Sequence, residues 1–240
     1  MNVLVVGAGE MGTWFGGCLS GSVAYADRNK TNAERAATAT DGRAVAVDTD
    51  ERFDAVCLAV PIPAAEVAIA THIDRARRAV LDLTGVMGPA VAAMRKHGSD
   101  HERMSLHPLF SARHAPGRIA VVPDASGPVT DGIRDDLSAD GNTLFETTAE
   151  EHDRSMATVQ ARTHAAVLAF GLASETVREE FHTPVSKQLS VLAERVTSGN
   201  PRVYAEIQEA FGGAEDVAQA AVRIADADEE TFEALYQEAK

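Results

Sequence analysis

His107 is a titratable imidazole that closes an apolar run, Met104-Ser105-Leu106, and directly precedes Pro108. Unshifted, such a ring changes charge near pH ~6.5, which suits it to take and return a proton at physiological pH. A second chemistry-bearing pattern opens the chain: Gly7-Ala8-Gly9-Glu10-Met11-Gly12 follows the strand-like run Asn2 to Val6. In a strand-to-helix turn the first glycine permits the tight bend, the second lets the backbone approach a pyrophosphate, and the third lets the helix pack closely. The helix N-terminus then stabilises the negative charge. Asp27, 20 residues after Gly7 and at the end of the second apolar run, is placed to accept hydrogen bonds from adenosine ribose hydroxyls. The same carboxylate repels a 2′-phosphate, so NAD is expected over NADP, although a guanidinium at the adjacent Arg28 could accommodate that phosphate.

Both features need a scaffold that brings strand ends to one edge. Short apolar runs at Val3–Val6, Val23–Ala26, Arg43–Val47, Asp54–Val60, Ala79–Leu83, Arg103–Leu109, Ile119–Pro123 and Thr143–Thr147 predict strands. Helices are expected over Met11–Leu19, Pro63–Ile69, Pro89–Lys96 and Asp131–Ala139. Several of the runs are β-branched without polar alternation, as in parallel strands covered on both faces. From Thr148 onward apolar residues recur at helical spacing instead, with Met156, Val159, Thr163, Val167 and Phe170 on one stripe. Further helices are expected at Pro184–Thr197, Pro201–Ala210, Ala214–Asp226 and Glu229–Glu238, with both prolines at first-turn positions. The fold class is therefore α/β, a Rossmann-type doubly wound sheet followed by an all-α C-terminal domain. Residues 1–148 form the dinucleotide-binding part and 149–240 a helical part for substrate binding and dimerisation. Open α/β sheets bind ligands outside the C-terminal ends of their strands, where His107 is expected.

Thirty-six acidic residues against 22 Lys and Arg leave a net charge of −14, which argues against nucleic acid as a partner. Lys30, Lys96, Lys187 and Lys240 are the only lysines. An acid-rich, lysine-poor surface fits a salt-adapted cytoplasm, where the Debye length falls to ~3 Å at 1 M; an ordinary acidic enzyme is the alternative. Cys18 and Cys57 lie in apolar segments as small hydrophobes, and no disulfide is expected. No leader pattern and no apolar run approaching the ~20 residues of a membrane span occurs, so a soluble, cytoplasmic protein is expected. The histidines lack metal-ligand spacing, and no metal is expected.

A second group lies in the helical part. Glu151-His152-Asp153 begins its long helix, where His152 is expected to support the helix start, and Gln160 and His164 lie one turn apart on one face. Lys187, Val191 and Arg195 follow at i, i+4, i+8 after Thr183-Pro184, which projects two cations from one side. With Ala59-Val60-Pro61-Ile62, Asp82-Leu83 and His107-Pro108-Leu109-Phe110, these features make the chain resemble the prephenate dehydrogenase family over nearly its whole length. The resemblance implies NAD-dependent oxidative decarboxylation of prephenate to 4-hydroxyphenylpyruvate and carbon dioxide. It implies His107 as hydrogen-bond acceptor or general base, and cofactor contacts from Gly7 through Gly12, Asp27, Arg28, Val60 and Pro61. Lys187 falls where the family commonly carries a substrate-binding Arg, with Arg195 and His164 as further substrate-binding candidates. The family often has Ser after Asp-Leu-x, whereas this chain reads Asp82-Leu83-Thr84-Gly85, so the orienting hydroxyl is supplied by Thr84 or is missing. Arogenate, another small acid, or a catalytically silent NAD-sensing role are the alternatives. A homodimer through the C-terminal helices is expected.

Overall fold

Val3 and Val5 belong to one apolar cluster and Leu4 and Val6 to another, and all four are buried along strand β1 (Asn2–Val6). A strand, whose side chains alternate, can bury every residue only when both faces of its sheet are covered. The computed structural model describes residues 1–240 and shows how the covering is achieved. After β1 the chain runs through α1 (Glu10–Gly17), β2 (Ser22–Ala26), α2 (Lys30–Ala39), β3 (Arg43–Ala44) and β4 (Phe53–Leu58). It continues through α3 (Ala65–His72), β5 (Ala76–Asp82), α4 (Met87–His97), β6 (Glu102–Pro108), β7 (Arg118–Ala125), α5 (Pro128–Ala139) and β8 (Thr143–Glu146). Phe15 of α1, Ala33 and Ala36 of α2, and Ile133 and Leu137 of α5 cover one face; Ile69 of α3 and Met87, Val91 and Met94 of α4 cover the other. Phe53, Leu58 and Leu81 are fully buried between these layers, each contributing roughly 1.5–3 kcal/mol relative to exposure.

The eight strands lie in the order β3-β2-β1-β4-β5-β6-β7-β8. β1 through β6 pair in parallel, so the C-terminal ends of β1, β2, β4, β5 and β6 share one edge, and the order reverses beside β1. β7 departs from the expected parallel pattern: it pairs antiparallel with β6, and β8 then pairs parallel with β7. Only residues 109–117 separate β6 from β7, too few for the dozen or more that a parallel crossover needs. The sequence pattern does not mark α2, whose buried positions are alanines, so its apolar periodicity is faint; Asn29 caps it by accepting from the Thr31 N–H.

Contacts divide the chain into two units, Met1–Asp153 and Arg154–Lys240. The division falls inside α6 (Ala149–Met156), because His152 and Asp153 are bonded to β6 and to the start of α4. The second unit is all helical: a π-helical stretch Ala157–Arg162, α7 (Thr163–Ala173), α8 (Pro184–Thr197), α9 (Pro201–Phe211), α10 (Gly213–Ala225) and α11 (Glu229–Glu238). Thr183 and Asn200 cap α8 and α9 just ahead of their first-turn prolines. Gln208 donates to the Ala161 carbonyl and Arg162 pairs with Asp216, which ties the π-helical stretch to α9 and α10. No helix is long and apolar enough to cross a membrane.

Candidate active site

At the end of β1 the chain turns on Gly7, whose φ of 99° is in the region that favours glycine. A Cβ at Gly7 would stand 2.2 Å from the Ala59 carbonyl oxygen, just past β4, and one at Gly12 would stand 2.0 Å from the Gly7 carbonyl oxygen. Gly9 differs: its Cβ position meets nothing within 4 Å, which leaves room for a phosphate to approach the backbone where α1 begins. Asp27, after β2, braces this turn from the side. Its Oδ2 accepts from the Ala8 N–H at 2.9 Å and its Oδ1 from the Asn29 N–H at 2.8 Å. The carboxylate is partly exposed and Arg28 is exposed beside it. Val60 packs against Gly7, its Cγ1 standing 3.3 Å from the Cβ position there, with Pro61 following. This cradle fits the pyrophosphate and ribose of a dinucleotide.

Further along the same edge a polar column runs through the otherwise apolar α3/α4 face. Asp82 ends β5 opposite Ser105 of β6, and the strand period of two puts His107 on Ser105's face. Both His107 and His152 are buried. His107 Nδ1 lies 2.8 Å from His152 Nε2, and His152 Nδ1 lies 2.8 Å from Asp153 Oδ1. Asp153 in turn accepts from the Met87 and Gly88 backbone N–H groups at the start of α4, each at 2.9 Å. Burial opposes the charge on Asp153, but the bonds from His152 and from those two amides outweigh it and hold its carboxyl below the usual range. Burial, reinforced by the neighbouring His152 and opposed by Asp153, pushes the His107 pKa down to about 3. His107 is therefore a neutral imidazole at physiological pH, able to donate or accept but carrying no charge.

Burial also pushes Asp82 up to about 6, against hydrogen bonds from Thr84 and Ser105 and the nearby His152. Thr84 is buried, and its hydroxyl and backbone N–H both turn to Asp82 Oδ2, the hydroxyl also lying 3.0 Å from the Val86 carbonyl. This corrects the expectation that Thr84 supplies an orienting hydroxyl to His107. The position beside the imidazole belongs to Gly85, whose Cβ position is 3.5 Å from His107 Nε2. A serine there would have brought its side chain to that nitrogen; glycine puts none there, and Ile62 Cδ1 lies 3.6 Å from the same Cβ position.

The remaining expected residues lie in the helical unit. His164 is half-buried, stacked edge-on against Tyr204 with ring centroids 4.7 Å apart, and burial lowers its pKa. Lys187 is exposed and pairs with Glu179 at 2.5 Å. Arg195, two turns along α8, is exposed as well, and so is Val191 between them, so all three lie on an exposed face.

No family model matches the chain. Among curated proteins, the 4-amino-4-deoxyprephenate dehydrogenase of Streptomyces pristinaespiralis is 33% identical over 204 residues, covering 77% of this chain and 69% of that protein. The chain belongs to the prephenate dehydrogenase family. Solved structures of the family share the fold. Aquifex aeolicus prephenate dehydrogenase, in complex with hydroxyphenyl propionate and NAD+, superposes with a TM-score of 0.70 at 17% identity, over 99% of this chain and 95% of that one. Synechocystis arogenate dehydrogenase gives 0.66 at 18% identity, over 99% and 97%.

For a prephenate dehydrogenase fold, the informative departure from sequence expectation is the His152-Asp153 pair. Its residues were visible as a helix start, but their bond to a histidine 45 positions earlier was not. A histidine beside an aspartate at a helix start is the one local signal that could have marked it. Asp82 is visible as part of the Asp82-Leu83 element of the resemblance, with nothing to show that it would be buried against Thr84.

Proposed function

We propose that the protein catalyses the NAD-dependent oxidative decarboxylation of prephenate to 4-hydroxyphenylpyruvate and carbon dioxide. The observation that carries this reading is the neutral, buried imidazole of His107 at the sheet edge that also bears the Gly7–Gly12 turn. When bound, NAD supplies the acceptor for the hydride that leaves ring carbon 4. Gly7, Ala8, Gly9, Glu10, Met11 and Gly12 hold its pyrophosphate, Asp27 and Arg28 flank the ribose, and Val60 and Pro61 line the turn. His107 takes the proton of the ring hydroxyl as the hydride departs, a role worth about 10²–10⁴-fold. Loss of the ring carboxylate then completes aromatisation. For the two substrate carboxylates we assign Lys187, Arg195 and His164, of which Lys187 must exchange Glu179 for substrate. Leu172, Phe181 and Val185 are exposed apolar side chains of the helical unit, which supports a homodimer formed there; light scattering that finds a monomer would remove that part.

Asp27→Ala is expected to weaken NAD. It deletes a charge-assisted bond to the ribose, worth about 1.5–3 kcal/mol, and leaves the Ala8 N–H without its acceptor. The KM for NAD should rise about tenfold or more and the preference over NADP should shrink; an unchanged ratio of the two kcat/KM values counts against the assignment.

A second reading, oxidation of the 4-amino-4-deoxy analogue, is favoured by the name of the 33% identical relative and by Gly85, which puts no side chain beside His107 Nε2. NADH absorbance with prephenate, arogenate and 4-amino-4-deoxyprephenate, each with NAD and with NADP, separates the readings. NADH from none of the three acids overturns the proposed function.

A further inference from the structure

We propose that Asp153 and His152 are positioning residues that set the tautomer of His107, presenting its Nε2 as a proton acceptor, and that they take up the positive charge once that nitrogen has gained a proton. The proton donor named below rests on the dehydrogenase reading. The tautomer does not.

The argument starts at the start of α4, where two backbone N–H groups donate to the two oxygens of Asp153. These amides are at the positive end of the helix dipole and favour an ionised carboxylate. An ionised carboxylate only accepts, so the 2.8 Å contact with His152 must be a bond donated by His152 Nδ1. With a single proton on His152, the bond to Asp153 places that proton on Nδ1 and leaves Nε2 unprotonated. That nitrogen can only accept, so the next 2.8 Å contact is donated by His107 Nδ1. With its one proton on Nδ1, neutral His107 has an unprotonated Nε2. With one proton on each imidazole, the three contacts leave one arrangement of protons.

That arrangement also answers an electrostatic problem. His107 is a poor place for a lasting charge, because burial and its histidine neighbour hold it neutral down to about pH 3. His152 Nδ1 lies 2.8 Å from Asp153 Oδ1, so a positive charge passed on to His152 rests beside an opposite one. When the O–H bond at ring carbon 4 of the substrate breaks, its proton bonds to His107 Nε2 and its electron pair forms the carbonyl, while the hydride goes to a nicotinamide dinucleotide as oxidant. The His107 Nδ1–H bond then breaks and the proton bonds to His152 Nε2, so the charge rests between His152 and Asp153. When the bond to the ring carboxylate breaks, its electron pair enters the ring, and the phenolate oxygen so formed recovers the proton by the reverse route. The relay is reset in every turnover.

The test is nitrogen NMR of the full-length, histidine-labelled protein near neutral pH, with His107→Asn and His152→Phe used to assign the signals. In the wild type, His107 should carry its proton on Nδ1 and none on Nε2. His152→Phe keeps an aromatic ring in the space but removes both ring nitrogens, so His107 should become a mixture of tautomers and kcat should fall about 10²-fold, with the KM for NAD little changed. A His107 that is protonated on Nε2 in the wild type overturns the proposal, as does a His152→Phe protein with wild-type tautomer and turnover. Should His152→Phe fail to fold, the wild-type tautomer still decides, with His152→Gln as the second variant. If the wild type forms no NADH from any of the three acids, the functional reading falls while the NMR result still decides the relay.

Discussion

His107→Asn lowers turnover by about 10²–10⁴-fold while leaving NAD affinity nearly unchanged, because the ring contributes a proton-accepting nitrogen and the cofactor turn is built from other residues. Asparagine fills part of the space and can still hydrogen-bond His152, so the loss is chemical rather than structural. Steady-state kinetics with separate NAD and substrate titrations read the difference; unchanged kcat removes His107 from the reaction. The same pair of proteins should differ in acid stability, and the sign follows from where each state holds its protons. In the folded protein His107 stays neutral down to about 3, whereas in the unfolded chain it gains a proton near ~6.5. The unfolded state therefore binds more protons between these values. The contribution of His107 is fully present above ~6.5 and is lost as pH falls toward 3, by up to about 1.4 kcal/mol per pH unit. The asparagine variant has no titratable ring there and carries no such dependence. Denaturant unfolding of both proteins at several pH values should show the wild type losing stability relative to the variant on acidification, and parallel curves would contradict the burial of a neutral ring.

Gly12→Ala is expected to be nearly as damaging, by a different route. The added Cβ would stand 2.0 Å from the Gly7 carbonyl oxygen and 3.1 Å from Ala59 Cβ, so α1 must move away from β1 and β4 to admit it. Both of the nearest contacts are backbone or short side chains that cannot swing aside. Overpacking of this kind costs about 1–3 kcal/mol, and here it also displaces the helix N-terminus from the turn that receives the pyrophosphate. Unfolding free energy should fall by that amount and NAD affinity should fall at least about tenfold in a fluorescence titration. A variant that binds NAD as the wild type does would show that the close approach of helix to strand is dispensable for the cofactor.

How much of this was legible in the chain differs by element. The central strands and the C-terminal helices are readable because their signal is local: apolar runs for strands such as β1 and β4 that are buried on both faces, and prolines with polar caps at the starts of α8 and α9. The Gly7–Gly12 turn was readable for the same reason, since glycine spacing encodes a backbone conformation directly. Other elements leave only a faint local signal. The buried alanines of α2 carry too little periodicity to mark a helix, and the antiparallel return of β7 depends on the length of a connection rather than on the strand's own residues.

By itself the sequence determined a nucleotide-type α/β sheet with a histidine at its edge and a helical partner, because hydrophobic periodicity and glycine spacing are properties of neighbouring residues. Only the tertiary structure decided what that histidine touches. Gly85 rather than Thr84 stands beside its Nε2, Thr84 is turned to Asp82, and His152 with Asp153 reaches it from a helix that begins beyond two further strands. Proton placement in a buried site is set by hydrogen-bond partners brought together across the chain, and burial and neighbouring charge act through space with no trace in local order.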